Sequence, residues 1–294
     1  MSVVVVGSGN VDLVSRVERI PLPGETVLST GFATHPGGKG NNQATASARA
    51  GAVTTFVGAF GDDEHGARLR AGLAGDGVRT LVRTAGEPTG TALIAVSAAG
   101  ENSIVVNAGA NATLADLTAE ERAVVTAADV VVLQLEIPVE TVIDAARAAG
   151  GTVVLNAAPA RPLPRRLLDA VDLLVVNEHE AAVVAGTDTE PGDRLLAAVP
   201  AVVVTLGAEG ALVCCRGADP VRVPGIAVDV VDTTGAGDTF VGALAARLDE
   251  LGRLDPSTLD TATRFATAAA ALSVRRPGAV PAIPTRREID DFQA

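Results

Sequence analysis

Aromatic side chains are nearly missing from this chain of 294 residues, which has no Trp, no Tyr and six Phe. A core without them must be built from Ala, Val and Leu. The lack of stacking platforms also argues against single-stranded nucleic-acid binding. Net positive charge is missing too. The formal charge is −12, which removes the dense basic surface that nucleic acid or an anionic membrane requires. Any phosphate recognised here must be held by local dipoles and one or two placed cations. Lysine is reduced to one residue, Lys39, in an otherwise all-arginine basic set. Cysteine is limited to the adjacent pair Cys214 and Cys215, which predicts free buried thiols in a reducing compartment. No apolar run reaches the ~18 residues of a membrane span, and "MSVVVVGSGN" lacks the basic n-region of a signal peptide. The expectation is a soluble cytoplasmic protein.

What is present is a hydrophobic content of 48% in short β-branched runs separated by alanine-rich helical patterns. Val3–Val6, Val130–Leu133, Thr152–Leu155, Leu173–Val176 and Val202–Leu206 are uniformly apolar, as suits central parallel strands covered on both faces. Helical patterns occupy Gly40–Ala50, Glu64–Leu73, Thr118–Ala127, Val139–Ala149, Glu178–Ala185, Thr239–Leu251 and Thr258–Val274. This alternation predicts a single α/β domain with a doubly wound, mainly parallel sheet flanked by helices. Two segments, at about 13–36 and 89–106, break it with extended, mixed apolar and polar sequence. They predict a small β-sheet flap, and a flap over a cleft serves as a lid that excludes water from chemistry.

Four motifs carry candidate chemistry. In "GSGNVD" the third glycine of a dinucleotide fingerprint is replaced by Asp12, so an oxidoreductase is only a remote alternative. Asn10 and Asp12 lie at the expected carboxyl end of the first strand, where an amide and a carboxylate suit vicinal hydroxyls; a self-satisfied Asn/Asp turn is the other reading. "GGKGNNQA" lacks the Walker spacing, but Gly40 to Gln43 open a helix whose free N–H groups favour an anion or a hydroxyl. "VVDTTGAGDTF" sets Gly235, Ala236 and Gly237 before a long apolar helix. Unpaired N–H groups there make an anion hole for a transferring phosphoryl group, with Asp238 beside it to take a proton; an ordinary N-cap is the alternative. "NEHE" places Asn177 and Glu180 on one helical face, either to hold hydrated Mg²⁺ or as a capping pair. Glu136 follows an apolar strand in "LQLEIP", and His35, His65 and His179 show no metal-ligand spacing.

Taken together, these motifs resemble the ribokinase (PfkB) family of carbohydrate kinases. The likeness runs through "PGETV", "PGGKGNNQA", "FGDDEHG", "GENSIVVNAGAN", "LNAAPAR", "NEHEA", "TLGAEG", "DTTGAGD" and "RFATAAAALSVRRPGAVPAIP". It implies phosphorylation of a sugar hydroxyl by ATP with Mg²⁺, activation by K⁺ or another monovalent cation, and a homodimer joined through the lids. D-ribose, phosphorylated on its 5-hydroxyl, is the implied substrate; fructokinase, 2-keto-3-deoxygluconate kinase and nucleoside kinase activities are the alternatives within the family. By the same resemblance Asp238 is the base and Gly235, Ala236 and Gly237 form the anion hole. Asn10, Asp12, Gly38, Lys39, Asn42, Glu136 and Asp238 fall at sugar-contacting positions. Asn177, Thr205, Gly207, Ala208, Glu209, Gly210, Gly237 and Thr267 fall at the nucleotide site. Asp232, Thr234, Ser273, Arg276, Gly278 and Ala282 fall at the monovalent-cation site. Thr267 is smaller than the side chain common near the base, Ala282 lacks a hydroxyl often found by the cation, and Asn41 replaces a small residue.

Overall fold

The computed structural model describes residues 1–187 and 191–293. Among them the strands in chain order are β1 (Val3–Val6), β2 (Asn10–Val17), β3 (Gly31–Gly37), β4 (Thr54–Gly61), β5 (Arg79–Ala85), β6 (Gly90–Ser97), β7 (Asn102–Asn107), β8 (Val130–Leu133), β9 (Thr152–Asn156), β10 (Leu173–Asn177), β11 (Ala201–Thr205), β12 (Gly210–Cys215) and β13 (Val221–Pro224). The helices are α1 (Lys39–Arg49), α2 (Glu64–Gly75), α3 (Ala119–Ala127), α4 (Val139–Ala148), α5 (Arg165–Leu168), α6 (Glu178–Ala185), α7 (Pro191–Ala198), α8 (Ala236–Leu251), α9 (Pro256–Ser273) and α10 (Arg286–Gln293).

Nine strands form one sheet in the order β13-β12-β11-β10-β9-β8-β1-β4-β5. The seven from β11 to β5 run parallel, and β12 and β13 close the other edge antiparallel. In β1 every residue is buried, and the pleat sends Val3 and Val5 to one core and Val4 and Val6 to the other. Helices α1, α2, α8, α9 and α10 cover the first face, and α3 to α7 cover the second. With few aromatics available, Phe56 and Phe60 stack at 5.7 Å and small side chains fill the rest. No helix among the described residues is long and apolar enough to cross a membrane.

The segments at about 13–36 and 89–106 lie largely in a separate four-stranded sheet, β3-β2-β6-β7. Its strands start earlier than the sequence pattern suggests. Asn10 and Asp12, expected at the end of the first strand, are residues of β2, paired in register with Gly37 and His35 of β3. The chain therefore leaves β1 for a second sheet rather than for a helix, which removes the dinucleotide-binding turn. β4 and β5 escape a reading based on uniformly apolar runs. "TTFVGAFG" is interrupted by Thr and Gly although all eight of its residues are buried, and β5 is only half-buried. Helix α9 begins at Pro256 rather than Thr258, because Asp255 and Thr258 form a reciprocal capping box. Cys214 and Cys215 are both free; Cys214 is buried and Cys215 half-buried.

Candidate active site

Strand order reverses between β1 and β8, and crevices at the carboxyl ends of such strands bind ligands. Ser8 follows β1 and Glu136 follows β8, and the Ser8 hydroxyl donates to Glu136 Oε2 at 2.5 Å. The same oxygen accepts the backbone N–H of Lys39 at 3.0 Å, so Glu136 sits at the positive end of α1. Gly38 caps that helix without a side-chain bond. Asn10 is oriented by Asn111, whose amide donates to Asn10 Oδ1 at 2.8 Å and whose oxygen accepts the Gly9 N–H at 2.9 Å. Asn111 ends the stretch "GENSIVVNAGAN" but has no role of its own in the sequence reading, since Gly9 and Asn10 lie about a hundred residues away.

Helices α1 and α8 approach closely because Gly242 offers no side chain. A Cβ there would lie 2.5 Å from the Ala46 Cβ. This seam brings the amides of α1 onto Asp238, in the first turn of α8. Asn42 Nδ2 donates to Asp238 Oδ2 at 3.0 Å, and Gln43 Nε2 donates to Asp238 Oδ1 at 2.9 Å. Asp238 is buried and is not the N-cap; Gly235 holds that position in the left-handed region at φ 75°. The Ala236 N–H donates to the Thr233 carbonyl at 3.2 Å. Among the described residues the N–H groups of Gly235 and Gly237 have no protein acceptor, so two donors of the expected three are open to an anion.

Carboxylates crowd this site. Burial first, then the charges of Glu136 and Asp238, push the Asp12 carboxyl up to about 7. Burial likewise raises Glu180. Lys39 balances them. Asp238 foremost, then Glu136 and Glu180, raise its ammonium above the ordinary lysine value despite its burial. Among the described residues Lys39 forms no ion pair within 4.0 Å, so its charge is shared across the site.

Two cavities meet here. The smaller, about 160 Å³, is lined by Lys39, Asn156, Asn177, Glu180, Gly235 and Asp238 among others. The larger, about 560 Å³, is mostly apolar and includes Gly207, Ala208, Gly210, Val228, Phe240 and Thr267 in its wall. Thr205 and Gly237 border both. The loop around Ile226–Val230 completes the larger cavity, and nothing in the sequence reading pointed to it. Glu209 is absent from either wall; its exposed side chain pairs with Arg222. The Thr267 hydroxyl donates to the Thr263 carbonyl at 2.8 Å within α9.

Asn177 and Glu180 form a reciprocal capping box, each side chain accepting the other's backbone N–H at 2.8 Å. Glu180 Oε1 is not used by the box. One free carboxylate oxygen fits a hydrated Mg²⁺ held jointly with nucleotide phosphates, not a cage of protein ligands. Of the residues expected around a monovalent cation, Thr234 and Gly278 converge on Asp232. Its Oδ1 accepts from the Thr234 N–H and hydroxyl at 2.9 and 2.6 Å, and its Oδ2 accepts the Gly278 N–H at 2.8 Å. Burial raises this carboxyl, but the bonds from Thr234 and Gly278 outweigh it and hold it below the ordinary value. The Ser273 hydroxyl donates to the Ala270 carbonyl at 2.8 Å, and the Arg276 guanidinium pairs with Glu288 at 2.5 Å. The Thr234 and Ser273 hydroxyls spend their hydrogens on these bonds but keep their oxygen lone pairs, and the Asp232 carboxylate is the one anion among these positions. Ala282 lies in the short 3₁₀ turn Val280–Ala282.

The family description "pfkB family carbohydrate kinase" matches residues 1–286. The chain belongs to this family. It is 41% identical over 300 residues to the ribokinase of Bacillus subtilis, covering 99% of both chains. It is 40% identical over 303 residues to a bifunctional ribokinase/ribose-5-phosphate isomerase A of Fructilactobacillus sanfranciscensis, covering 98% of this chain and 55% of that one. This carbohydrate kinase thus spans about half the length of the bifunctional relative. A solved structure of Arabidopsis thaliana ribokinase complexed with ribose and ATP superposes with a TM-score of 0.87 at 37% identity, covering 99% of this chain and 97% of that one. The mainly parallel sheet with its separate small sheet is the architecture these structures share.

Proposed function

We propose that this chain transfers the γ-phosphoryl group of ATP to the 5-hydroxyl of D-ribose, giving ribose 5-phosphate. The observation that carries the reading is Asp238, buried and held by two amides beside the open N–H groups of Gly235 and Gly237. Near-full-length likeness to ribokinases supports the choice of sugar.

In this reading the sugar lies among Asn10, Asp12, Gly38, Lys39, Asn42 and Glu136, with Asp12 and Asn42 on the ring hydroxyls. The nucleotide base occupies the larger cavity and its phosphates reach the smaller one. Asp238 accepts the proton of the primary hydroxyl as that oxygen attacks the γ-phosphorus in line. The N–H groups of Gly235 and Gly237 meet the charge that develops on the transferring group. Glu180, through water, and Asn177 would hold Mg²⁺, which would supply neutralisation of the phosphate charge. Asp232 and neighbouring carbonyls of Thr234, Ser273, Arg276, Gly278 and Ala282 would take K⁺. The small sheet acts as the lid. Phe32, Leu93, Ile104 and Val105 are exposed on it, which supports its use as the contact of a cytoplasmic homodimer.

A phosphorylation assay across ribose, fructose, 2-keto-3-deoxygluconate and adenosine, with and without K⁺, tests the reading. Ribose is expected to give the highest kcat/KM, and K⁺ to raise the rate. Inert ribose beside active fructose or adenosine overturns the substrate.

Asp12 adds a pH signature. Its carboxyl titrates near 7, so it is neutral in acid and charged above that value. A charged acceptor bonds a hydroxyl about twice as strongly as a neutral one. The KM for ribose is expected to rise roughly tenfold as pH falls from 8 to 6, with a smaller change in Asp12→Asn. A KM that is flat across this range in the wild type removes Asp12 from the sugar site.

A further inference from the structure

Beyond holding Asp238, the Gln43 side chain has been given no part, yet it occupies a fixed place behind the base. Its Nε2 donates one hydrogen to Asp238 Oδ1 at 2.9 Å and the other to Asn156 Oδ1 at 3.0 Å. Asn156 in turn donates from Nδ2 to the Val175 carbonyl at 3.3 Å. The direction of this chain is set by chemistry. A backbone carbonyl only accepts, so Asn156 must present its oxygen to Gln43, and Gln43 must present its nitrogen to Asp238. Turning either amide over would set oxygen against oxygen. Gln43 is fully buried, and among the described residues its Oε1 has no partner, so its hydrogen bonding to the site runs through its nitrogen.

The two oxygens of Asp238 are thereby made unequal. Oδ1 is tied through Gln43 and Asn156 to the sheet at β10. Among the described residues Oδ2 is bonded only by Asn42, which the proposed function places on the sugar. We propose that Gln43 is a positioning residue that pins Oδ1 and leaves Oδ2 as the oxygen that takes the substrate proton. This rests on the reading of Asp238 as the base. The charged groups facing Asp238 are Lys39 at the start of α1, Asp12 on β2 and Glu180 on α6. None of them bonds Oδ1, so Gln43 alone fixes that oxygen from α1.

Gln43→Met and Gln43→Glu test it, on whichever sugar the wild type phosphorylates, with folding checked by circular dichroism. Misplacing a catalytic group by about 1 Å costs roughly 100-fold in rate. Gln43→Met is therefore expected to lower kcat by about 10- to 100-fold with both KM values within about threefold of wild type. Gln43→Glu sets a second acid beside Asp238 and is expected to move the acid limb of the kcat profile upward by about one pH unit. The deciding measurement is single-turnover transfer in the Asp238→Asn background. There Gln43→Met is expected to add no more than about twofold, because groups acting as a unit are not additive. A further 10-fold loss in that background, or wild-type kcat and pH profile in both single variants, overturns the proposal. If Gln43→Glu fails to fold, the Gln43→Met pair alone decides. A wild type that phosphorylates no sugar overturns the proposed function and this inference together; a change of sugar overturns only the former.

Discussion

Asp238→Asn is expected to cut kcat by about 10³- to 10⁴-fold, the upper range of a general base, while the KM for ribose stays within about threefold. The substitution keeps size and shape but replaces one carboxylate oxygen with an amide nitrogen. That nitrogen can still bond a hydroxyl and cannot accept its proton. It also faces donors, since Asn42 and Gln43 both present N–H groups to this side chain. The amide will turn its oxygen to one of them and leave the other unpaired, which costs about 1–3 kcal/mol of stability. Ribose binding by calorimetry beside single-turnover kinetics separates these effects. Turnover within 10-fold of wild type removes Asp238 as the base.

Lys39→Met carries the second large effect. The ammonium lies among Asp238, Glu136 and Glu180 and is their shared counter-charge. Without it three carboxylates face one another and the incoming phosphates with no protein cation between them. Loss of one such electrostatic contact costs about 10²- to 10³-fold in kcat. Glu180, whose ionised form Lys39 favours, is also expected to titrate at higher pH in the variant. Lys39→Arg keeps the charge and tests shape. A planar guanidinium presents a rigid fork of donors where the compact ammonium presents a point charge at the wall of the smaller cavity, so partial recovery is expected, not full. If Lys39→Arg matches wild type in kcat and KM, any cation serves there and the lone lysine has no special part.

The fold was legible where a strand is buried on both sides. "VVVV" in β1 reads as a covered strand, because four β-branched residues in a row show neither a polar face nor a helical period. It was illegible in β4, where Thr and Gly are buried among Phe and Ala and break the run. Chemistry was legible where it is local. Gly235 to Asp238 adjoin one another at a helix start, and local backbone supplies the open N–H groups there. Gln43 was invisible because its partners stand 113 and 195 positions away, and only the packing of α1 on α8 brings them together. Asn10 and Asp12 were noticed for their chemistry yet put on the wrong strand, since no pattern in "GSGNVD" shows where β1 ends and a new sheet begins.

That placement has a consequence for how the sugar is used. Asp12 belongs to the small sheet, whereas Asn42 and Asp238 belong to helices on the large one. Under the proposed function a ribose gripped by both would be a fastener between two bodies, and tightening it would draw the small sheet down over the phosphates. Each hydroxyl on the sugar then helps assemble the reacting geometry as well as hold the molecule. A sugar lacking one of the ring hydroxyls should therefore bind only somewhat worse and react far more slowly, and water, which can fasten nothing, should be a poor acceptor.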